Sequence, residues 1–529
     1  MSIVVNALTY VHPNGELLFD NLSFSILKGD KVALVGHNGV GKSTLFRILA
    51  GELIQSKGEV VLSKSLYYMP QHFGQFDEMT AMEILRIQDK INALHAILAG
   101  NVTQDNLDLL NDDWDIEERV NKAFAYWDID GLPLSTAFAS LSGGEKTKLL
   151  LSGIQIHMPD IILMDEPSNH LDKQSRATLY KFIEETNSTL LIVSHDRTLL
   201  NRVNTTFELT SKAIEVYGGN YDFYREQKQI KLNALHAQLA EKEKSLKQTV
   251  MRSREIAEQR QKQESRGKAQ KEKSGVPRIV MGKLQNNAEQ SSAKSKKEQI
   301  EKIEDIVNEV KLIKQTIERE QLLKIQIVES GLHKGKVLVS ADNINIHYGE
   351  QPLWKHPLSF QVYSGDRILI EGNNGVGKTS LIRLITKETM AYSGQLFVAE
   401  FNYLYIDQEY SILKGDLTIF EQAQKFNDKH LPEHALKMLL HRHQLSQSYW
   451  DRPCHTLSGG EKMKLLLCCL SISNNNPDML IFDEPTNNLD IYSKEILTYS
   501  IKHFNGTILV ISHDQQFIED IGIEKVITL

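Results

Sequence analysis

GHNGVGKST at residues 36–44 returns as GNNGVGKTS at residues 372–380. Both fit the spacing GxxxxGK[ST]. Each follows a short apolar run, VALV at 32–35 and ILI at 368–370, and each precedes a helical pattern, TLFRILAG or SLIRLIT. Strand, glycine-rich loop and helix, in that order, make the context in which such a loop binds phosphate. The glycines let successive backbone N–H groups curl around an anion, and the helix N-terminus adds a partial positive charge. Gly36, Asn38, Gly39, Gly41, Lys42, Ser43 and Thr44 form one candidate cradle. Gly372, Asn374, Gly375, Gly377, Lys378, Thr379 and Ser380 form the other. Lys42 and Lys378 are expected to reach the β/γ-phosphates of a nucleotide, and Ser43 and Thr379 to ligate Mg²⁺.

The repetition extends outward from these loops. LSGGEK at 141–146 recurs at 457–462, IILMDEPSNHLD at 161–172 as MLIFDEPTNNLD at 479–490, and IVSHD at 192–196 as VISHD at 510–514. The order is the same in both halves, so the chain holds two copies of one domain. Between Gln71 and Leu141 the first copy carries about 21 residues more than the second does between Gln408 and Leu457. The excess includes NVTQDNLDLLNDDWDIEE, an acidic, turn-rich stretch. It reads either as a longer surface loop or helix pair, or as a small partner-contacting subdomain.

Each further motif has a chemical reading. ILMDE and LIFDE are apolar runs of the kind that form buried parallel strands, whose carboxyl ends carry ligand sites. Asp165 and Asp483 then suit a Mg²⁺ shell, while Glu166 and Glu484, one residue on, can activate an attacking water. Ser142, Gly143 and Gly144, and likewise Ser458, Gly459 and Gly460, open a helix and offer a second set of N–H groups to phosphate. His195 and His513 each lie 29 residues after their glutamate, a spacing that favours a γ-phosphate sensor over a structural histidine. Gln71 and Gln408, 29 and 30 residues past the loop lysines, suit positioning of water or Mg²⁺.

Composition narrows the class. With 529 residues, 41% hydrophobic and 24% charged, the chain is ordinary for a soluble globular protein. No apolar run approaches the roughly 18 residues of a membrane span. MSIVVNALTY lacks the basic start of a signal peptide. Three cysteines, Cys454, Cys468 and Cys469, exclude a disulfide framework or a cysteine-rich metal site and point to a cytoplasmic location.

The net charge of −8 predicts no nucleic-acid partner, but the charge is unevenly spread. Residues 251–300 hold 13 Lys and Arg against six Glu, a net +7 that leaves −15 for the rest. The same region lacks Phe, Trp and Tyr from Arg225 to His347, so it is poorly suited to an ordinary compact core. Leu232, Leu235, Leu239, Leu246 and Val250, and later Ile303, Ile306, Val310, Ile313 and Ile317, have near-heptad spacing. Two long amphipathic helices, near 222–270 and 296–326, would pair as an antiparallel hairpin. A helix of about 40 residues spans roughly 60 Å. Gly275, Pro277 and Gly282 punctuate a Lys/Arg-rich tip between them. Such a basic tip would bind folded RNA through phosphates, and the missing aromatics argue against stacking on single strands.

Taken together, the phosphate loop (Walker A), the glutamine, LSGGE, the acidic strand end (Walker B) and the histidine resemble the ATP-binding cassette (ABC) ATPases, over about 420 residues. The resemblance implies two α/β P-loop cassettes meeting head to tail as an intramolecular pair. Each ATP would lie between the Walker A of one cassette and the signature of the other. One site would join Lys42, Ser43, Gln71, Asp165, Glu166 and His195 to Ser458 and Gly460. The other would join Lys378, Thr379, Gln408, Asp483, Glu484 and His513 to Ser142 and Gly144. An aromatic upstream of Walker A stacks on adenine in that family. Tyr348 lies 24 residues before Gly372, and Tyr10 lies 26 before Gly36 with a longer VHPNGELLF after it. After Walker B, Ser168 and His170 stand where the second copy has Thr486 and Asn488.

The layout as a whole resembles the ABC-F branch: cassettes at 1–225 and 335–529, and an α-helical, coiled-coil-like linker at 226–334 with its tip near 271–290. That likeness implies an ATPase that binds the ribosomal E site, its linker reaching rRNA, P-site tRNA and the peptidyl-transferase centre. The role would be translation regulation or antibiotic ribosome protection, with no membrane partner. The alternatives are the ATPase subunit of a transporter with separate transmembrane subunits, for which the basic linker has no obvious use, and a DNA-repair or chromosome ATPase.

Overall fold

A computed structural model describes residues 2–62, 65–210, 213–271, 297, 300–317, 325, 327, 331–348, 351–373, 375–388, 392–474, 476–487 and 489–529. Two compact units divide it: Met1–Asp222 with Leu323–Leu529, and Phe223–Leu322.

The first unit contains both repeat copies. In the first copy, the apolar runs KVALV, IILMD and TLLIV become the strands Lys31–Val35, Ile161–Asp165 and Thr189–Val193, nearly all buried. They stand in a six-stranded sheet ordered Leu66–Met69, Ile161–Asp165, Thr189–Val193, Lys31–Val35, Thr205–Leu209, Ile214–Tyr217. All neighbours pair in parallel except the last two. The second copy repeats the pattern with five parallel strands: Tyr403–Ile406, Met479–Asp483, Thr507–Ile511, Arg367–Glu371 and Lys525–Thr528. Beside each lies an antiparallel sheet, centred on Ile3–Val11 in one copy and Val337–Tyr348 in the other.

Helices Lys42–Leu49 and Lys378–Ile385 bury Leu45, Phe46, Ile48 and Leu49, and Leu381, Ile382, Leu384 and Ile385, between the two kinds of sheet. Each such side chain contributes roughly 1.5–3 kcal/mol of burial. This packing fixes the helix N-termini at the carboxyl ends of the central strands, where the candidate sites lie.

The extra residues of the first copy are helical. Ala81–Ile84, Gln88–Leu98, Gln104–Leu110 and Ile116–Tyr126 occupy the interval in which the second copy has Ile419–Lys425 and Glu433–Arg442. Thr103 caps the middle helix and Asn111, in the left-handed region, ends it. Asp113 binds Arg119 at 2.6 Å and Lys90 at 2.6 Å, which holds its carboxyl down at about 2.

The aromatic-free sequence from Arg225 onward continues a helix, Tyr221–Lys271, that is 51 residues and about 75 Å long and lies in the second unit from Phe223. Residues 300–317 are also helical. Lys242 Nζ lies 2.5 Å from Glu309 Oε2 and Lys314 Nζ 2.8 Å from Glu243 Oε1, so the two helices face each other. Much of the expected tip, with Arg278 and Lys283, lies outside the described residues, as do 318–324 of the second expected helix, while 325 is described and not helical. Among the described residues, no helix is long and apolar enough to cross a membrane.

Candidate active site

Both glycine-rich loops fold as the spacing requires. Gly41 and Gly377 end them at φ 102° and 100°, and each caps the helix that follows. A Cβ on Gly41 would sit 2.6 Å from the Phe19 ring, and one on Gly377 would sit 2.5 Å from Leu353, so no larger residue fits there. Lys42 is buried, and its Nζ donates to the carbonyls of Gly36 at 2.7 Å and His37 at 3.1 Å. Lys378 Nζ donates to Gly372 O at 2.7 Å. Asn374 lies outside the described residues.

The acid pairs stand at the strand ends. Asp165 is buried, and neither of its oxygens has a hydrogen-bond partner among the described residues. Burial raises its carboxyl, while the nearby Ser43 hydroxyl and Lys42 oppose the rise. A buried acceptor pair of this kind beside a hydroxyl and the phosphate loop fits a hard divalent cation such as Mg²⁺. In the second copy, Asp483 Oδ2 accepts from Thr379 Oγ1 at 3.2 Å and from Tyr405 OH at 3.0 Å.

Glu166 and Glu484 both occupy the left-handed region, at φ 55° and 50°. Non-glycine residues rarely adopt this conformation, which costs about 1–3 kcal/mol and clusters at functional sites. Nothing in the two motifs announced it. The Glu166 N–H donates to Val193 O and the Glu484 N–H to Ile511 O, which locks the turn in both copies. The His195 N–H donates to Glu166 Oε2 at 3.1 Å, and its Nε2 lies 3.2 Å from Glu166 Oε1. The matching distance from His513 Nε2 to Glu484 Oε1 is 3.4 Å. Burial, and then Asp165, pushes the Glu166 carboxyl up to about 8. Burial raises Glu484 to about 7 against the pull of Lys378 and Arg176. Burial, reinforced by Lys42, holds His195 neutral, and burial also lowers His513. A carboxyl that titrates near neutrality, hydrogen-bonded to a neutral imidazole loop, is suited to proton transfer with water.

Each signature forms a capping box. Ser142 Oγ accepts from the Glu145 N–H and donates to Glu145 Oε2, and Ser458 and Glu461 do the same. The serine hydroxyls are thus engaged in holding the helix start, and the exposed backbone is the part left to meet phosphate. Above Gly143 lies the His170 ring, 3.1 Å from where a Cβ would be.

The two copies meet at these elements. The Asn38 N–H donates to Asp490 Oδ2 at 3.0 Å, and the His37 and Tyr492 rings meet edge to face at 5.1 Å. A Cβ on Gly460 would lie 3.8 Å from Asn38 Nδ2, so the first phosphate loop faces the second signature. On the other side, Lys173 Nζ lies 4.0 Å from Glu371 Oε1. A narrow cavity of ≈ 60 Å³ between the copies is lined by Gln71, Glu166, Arg176, His195, Lys494 and Asp514 among others.

Two expected residues are placed differently. Tyr10 is only 7% exposed and packs in the core, its ring against His12. His12 and Leu18, rather than Tyr10, line the ≈ 240 Å³ cavity over Lys42, Ser43 and Thr44. The longer VHPNGELLF loop is the sequence sign of this shift. Gln71 lines that cavity, whereas Gln408 is exposed. The Tyr348 backbone ends its strand by pairing with Gln351, and its side chain lies outside the described set.

The ABC transporter family model matches residues 19–169 and again 355–487. The chain belongs to the ABC transporter family. ATP-binding protein Uup of Escherichia coli (strain K12) is 30% identical, over 95% of this chain and 76% of the relative. ABC transporter F family member 5 of Arabidopsis thaliana is 28% identical, over 96% and 72%. The chain is thus an ABC-F-type member, with ATP binding and ATPase activity. Among solved structures, an archaeal ribosome recycling factor, aABCE1, in complex with ribosomal stalk protein aP1, shares the fold. Its TM-score is 0.58 at 17% identity, covering 99% of this chain and 87% of that one.

Proposed function

We propose that the ABC-F-type chain closes on two Mg²⁺·ATP, hydrolyses them, and uses the cycle to bind and leave the ribosome. The observation that carries the ATP part is the contact between Asn38 and Asp490, with Gly460 beside Asn38. It brings one copy's phosphate loop against the other copy's signature within a single chain. Lys42, Ser43, Thr44 and the Gly36–Gly41 backbone would hold the phosphates of one ATP, opposite Gly459 and Gly460. The second copy's loop, with Lys378, Thr379 and Ser380, would do the same opposite Gly143 and Gly144. Asp165 with Ser43, and Asp483 with Thr379, would hold Mg²⁺, which when bound neutralises phosphate charge. Glu166 and Glu484 take the proton of the attacking water, while His195 and His513 face the γ-phosphate. Loss of that phosphate removes the contacts that keep the copies together.

The ribosomal part rests on charge and shape. A helical linker, taken as 226–334 between cassettes at 1–225 and 335–529, carries the +7 window of 251–300. Lys and Arg spaced along helices supply phosphate contacts to rRNA and P-site tRNA without reading bases. A monomer in the cytoplasm, acting on translation directly or by protecting ribosomes from antibiotics, fits these features. The test is sedimentation of the Glu166→Gln/Glu484→Gln variant with ATP and 70S ribosomes. It should cosediment in an ATP-dependent manner that weakens with salt. If it stays in the supernatant the ribosomal reading fails, and partition into membranes would favour a transporter subunit.

A further inference from the structure

Helix Ile491–Lys502 of the second copy and its N-cap touch the first site four times within two turns, once through the Tyr492 ring against His37. Its N-cap, Asp490, accepts from the Ser493 N–H with one oxygen and from the Asn38 N–H with the other. One turn later, Lys494 Nζ donates to His195 O at 3.0 Å and to Asp514 Oδ2 at 2.9 Å, with its side chain only 14% exposed. Next to it, Glu495 Oε1 lies 3.0 Å from Arg197 Nη2, and the other Arg197 nitrogen, Nη1, lies 3.4 Å from Asp520 Oδ2. The loop carrying His195 is therefore held by charged groups of the opposite copy. One of those groups, Lys494, also grips Asp514, the neighbour of His513.

Among the described residues the repeat counterpart makes no such cross-copy hydrogen bond or ion pair, although the Arg176 charge acts on Glu484, His513 and Asp514 from the opposite copy. By the offset of 318, Lys494 matches Arg176, Glu495 matches Ala177, and Arg197 matches Gln515. Arg176 Nε donates to Leu171 O within its own copy. Asp196, the match of Asp514, accepts from Tyr180 OH in its own copy. Gln515 donates to Glu519, one turn along its own helix. Among the described residues, the second histidine loop has no such cross-copy ion pair.

We propose that Lys494 and Arg197 are positioning residues that fasten the His195 loop to the second cassette, so that hydrolysis at the first site follows the engagement of the second. The inference rests on the assignment of Glu166, His195, Glu484 and His513 given above. Partly buried ion pairs couple strongly because the low local dielectric strengthens them and water competes poorly. Neither side chain lines the cavity over Lys42, Ser43 and Thr44, so their loss should impair turnover more than ATP affinity.

The test is steady-state ATPase activity against ATP concentration for the full chain and three variants. The unchanged chain and Lys494→Arg should give sigmoidal curves with a Hill coefficient above 1. Lys494→Met and Arg197→Gln should lower kcat about fivefold or more, keep KM within about twofold, and bring the Hill coefficient to about 1. Arg197→Gln installs the side chain that the other copy carries at 515, so it serves if Lys494→Met fails to fold. A Hill coefficient of 1 in the unchanged chain would overturn the proposal. So would unchanged kcat in Lys494→Met and Arg197→Gln, or failure of Lys494→Arg to restore turnover. Glu166→Gln/Glu484→Gln separates the two levels. If that variant still hydrolyses ATP, the underlying site assignment fails. If it is inactive while Lys494→Met behaves normally, only the positioning role fails.

Discussion

The two sites are built from the same motifs, yet their surroundings differ. At the first, the Glu166 side chain is 3% exposed; at the second, that of Glu484 is 16% exposed. Lys42 is buried and Lys378 is partly open. Asp165 has the Ser43 hydroxyl and Lys42 near it, whereas Asp483 accepts from Thr379 and Tyr405. Local sequence does not account for this, because the loops, signatures and acid pairs are nearly identical. The bonds of Asp483 come from its own copy, and the rest of the difference follows what the opposite copy contributes. Asp490, Tyr492, Lys494 and Glu495 reach the first site, while Lys173 makes the one ion pair described on the other side. Duplication supplied two equal active-site halves, and a few substitutions on two facing helices made them unequal.

The largest expected effect would break the contrast outright. Glu166→Gln and Glu484→Gln together should cut hydrolysis by about 10²–10⁴-fold, the usual contribution of a general base. Singly, Glu166→Gln should cost more than Glu484→Gln in a phosphate-release assay. Equal residual rates would erase the distinction between the sites. Next comes Gly41→Ala, whose Cβ has no room beside Phe19. It should abolish nucleotide binding at one of two sites, so calorimetric titration of the variant should find a single ATP per chain.

The glutamates also predict a pH effect. Both folded values, about 8 and about 7, lie above the 4.5 of an ordinary glutamate. Their protonated forms are therefore favoured in the folded chain. The associated stability is fully present below 4.5 and is lost as pH rises through 7 and 8. Thermal melts without nucleotide should thus show Glu166→Gln/Glu484→Gln gaining on the unchanged chain as pH rises from 5 to 8. A gap that stays constant with pH would mean that burial does not act as described.

The smallest effect concerns what the copies share. Ser142→Ala and Ser458→Ala each remove one capping box, and each should cost about 1 kcal/mol in urea unfolding. Similar losses in the two would show that the copies differ only where they face each other.

Much of this was legible in the sequence. Two copies, parallel sheets, phosphate loops, acid-ended strands and a helical linker all follow from local spacing and apolar runs, because each obeys a short-range rule. Four features were not. Glu166 and Glu484 in the left-handed region are set by tertiary bonds to Val193 and Ile511, which no local propensity reports. Tyr10 matches the aromatic spacing but points into the core, since strand alternation within Ile3–Val11 decides its side. His12 takes the cavity position through a longer hairpin. Asp490, Lys494 and Arg197 act across 290 residues or more of chain, and their meaning appears only when the copies are superposed by the repeat offset.

The stretch from Arg225 to His347 without Phe, Trp or Tyr has an optical consequence. All four tryptophans, Trp114, Trp127, Trp354 and Trp450, are divided evenly between the cassettes. Intrinsic fluorescence is therefore blind to the linker, while its 51-residue helix contributes heavily to far-ultraviolet circular dichroism. Melting followed by both signals separates linker from cassettes without any label. A single tryptophan placed in the linker would then light up that segment alone once the native four are replaced by phenylalanine.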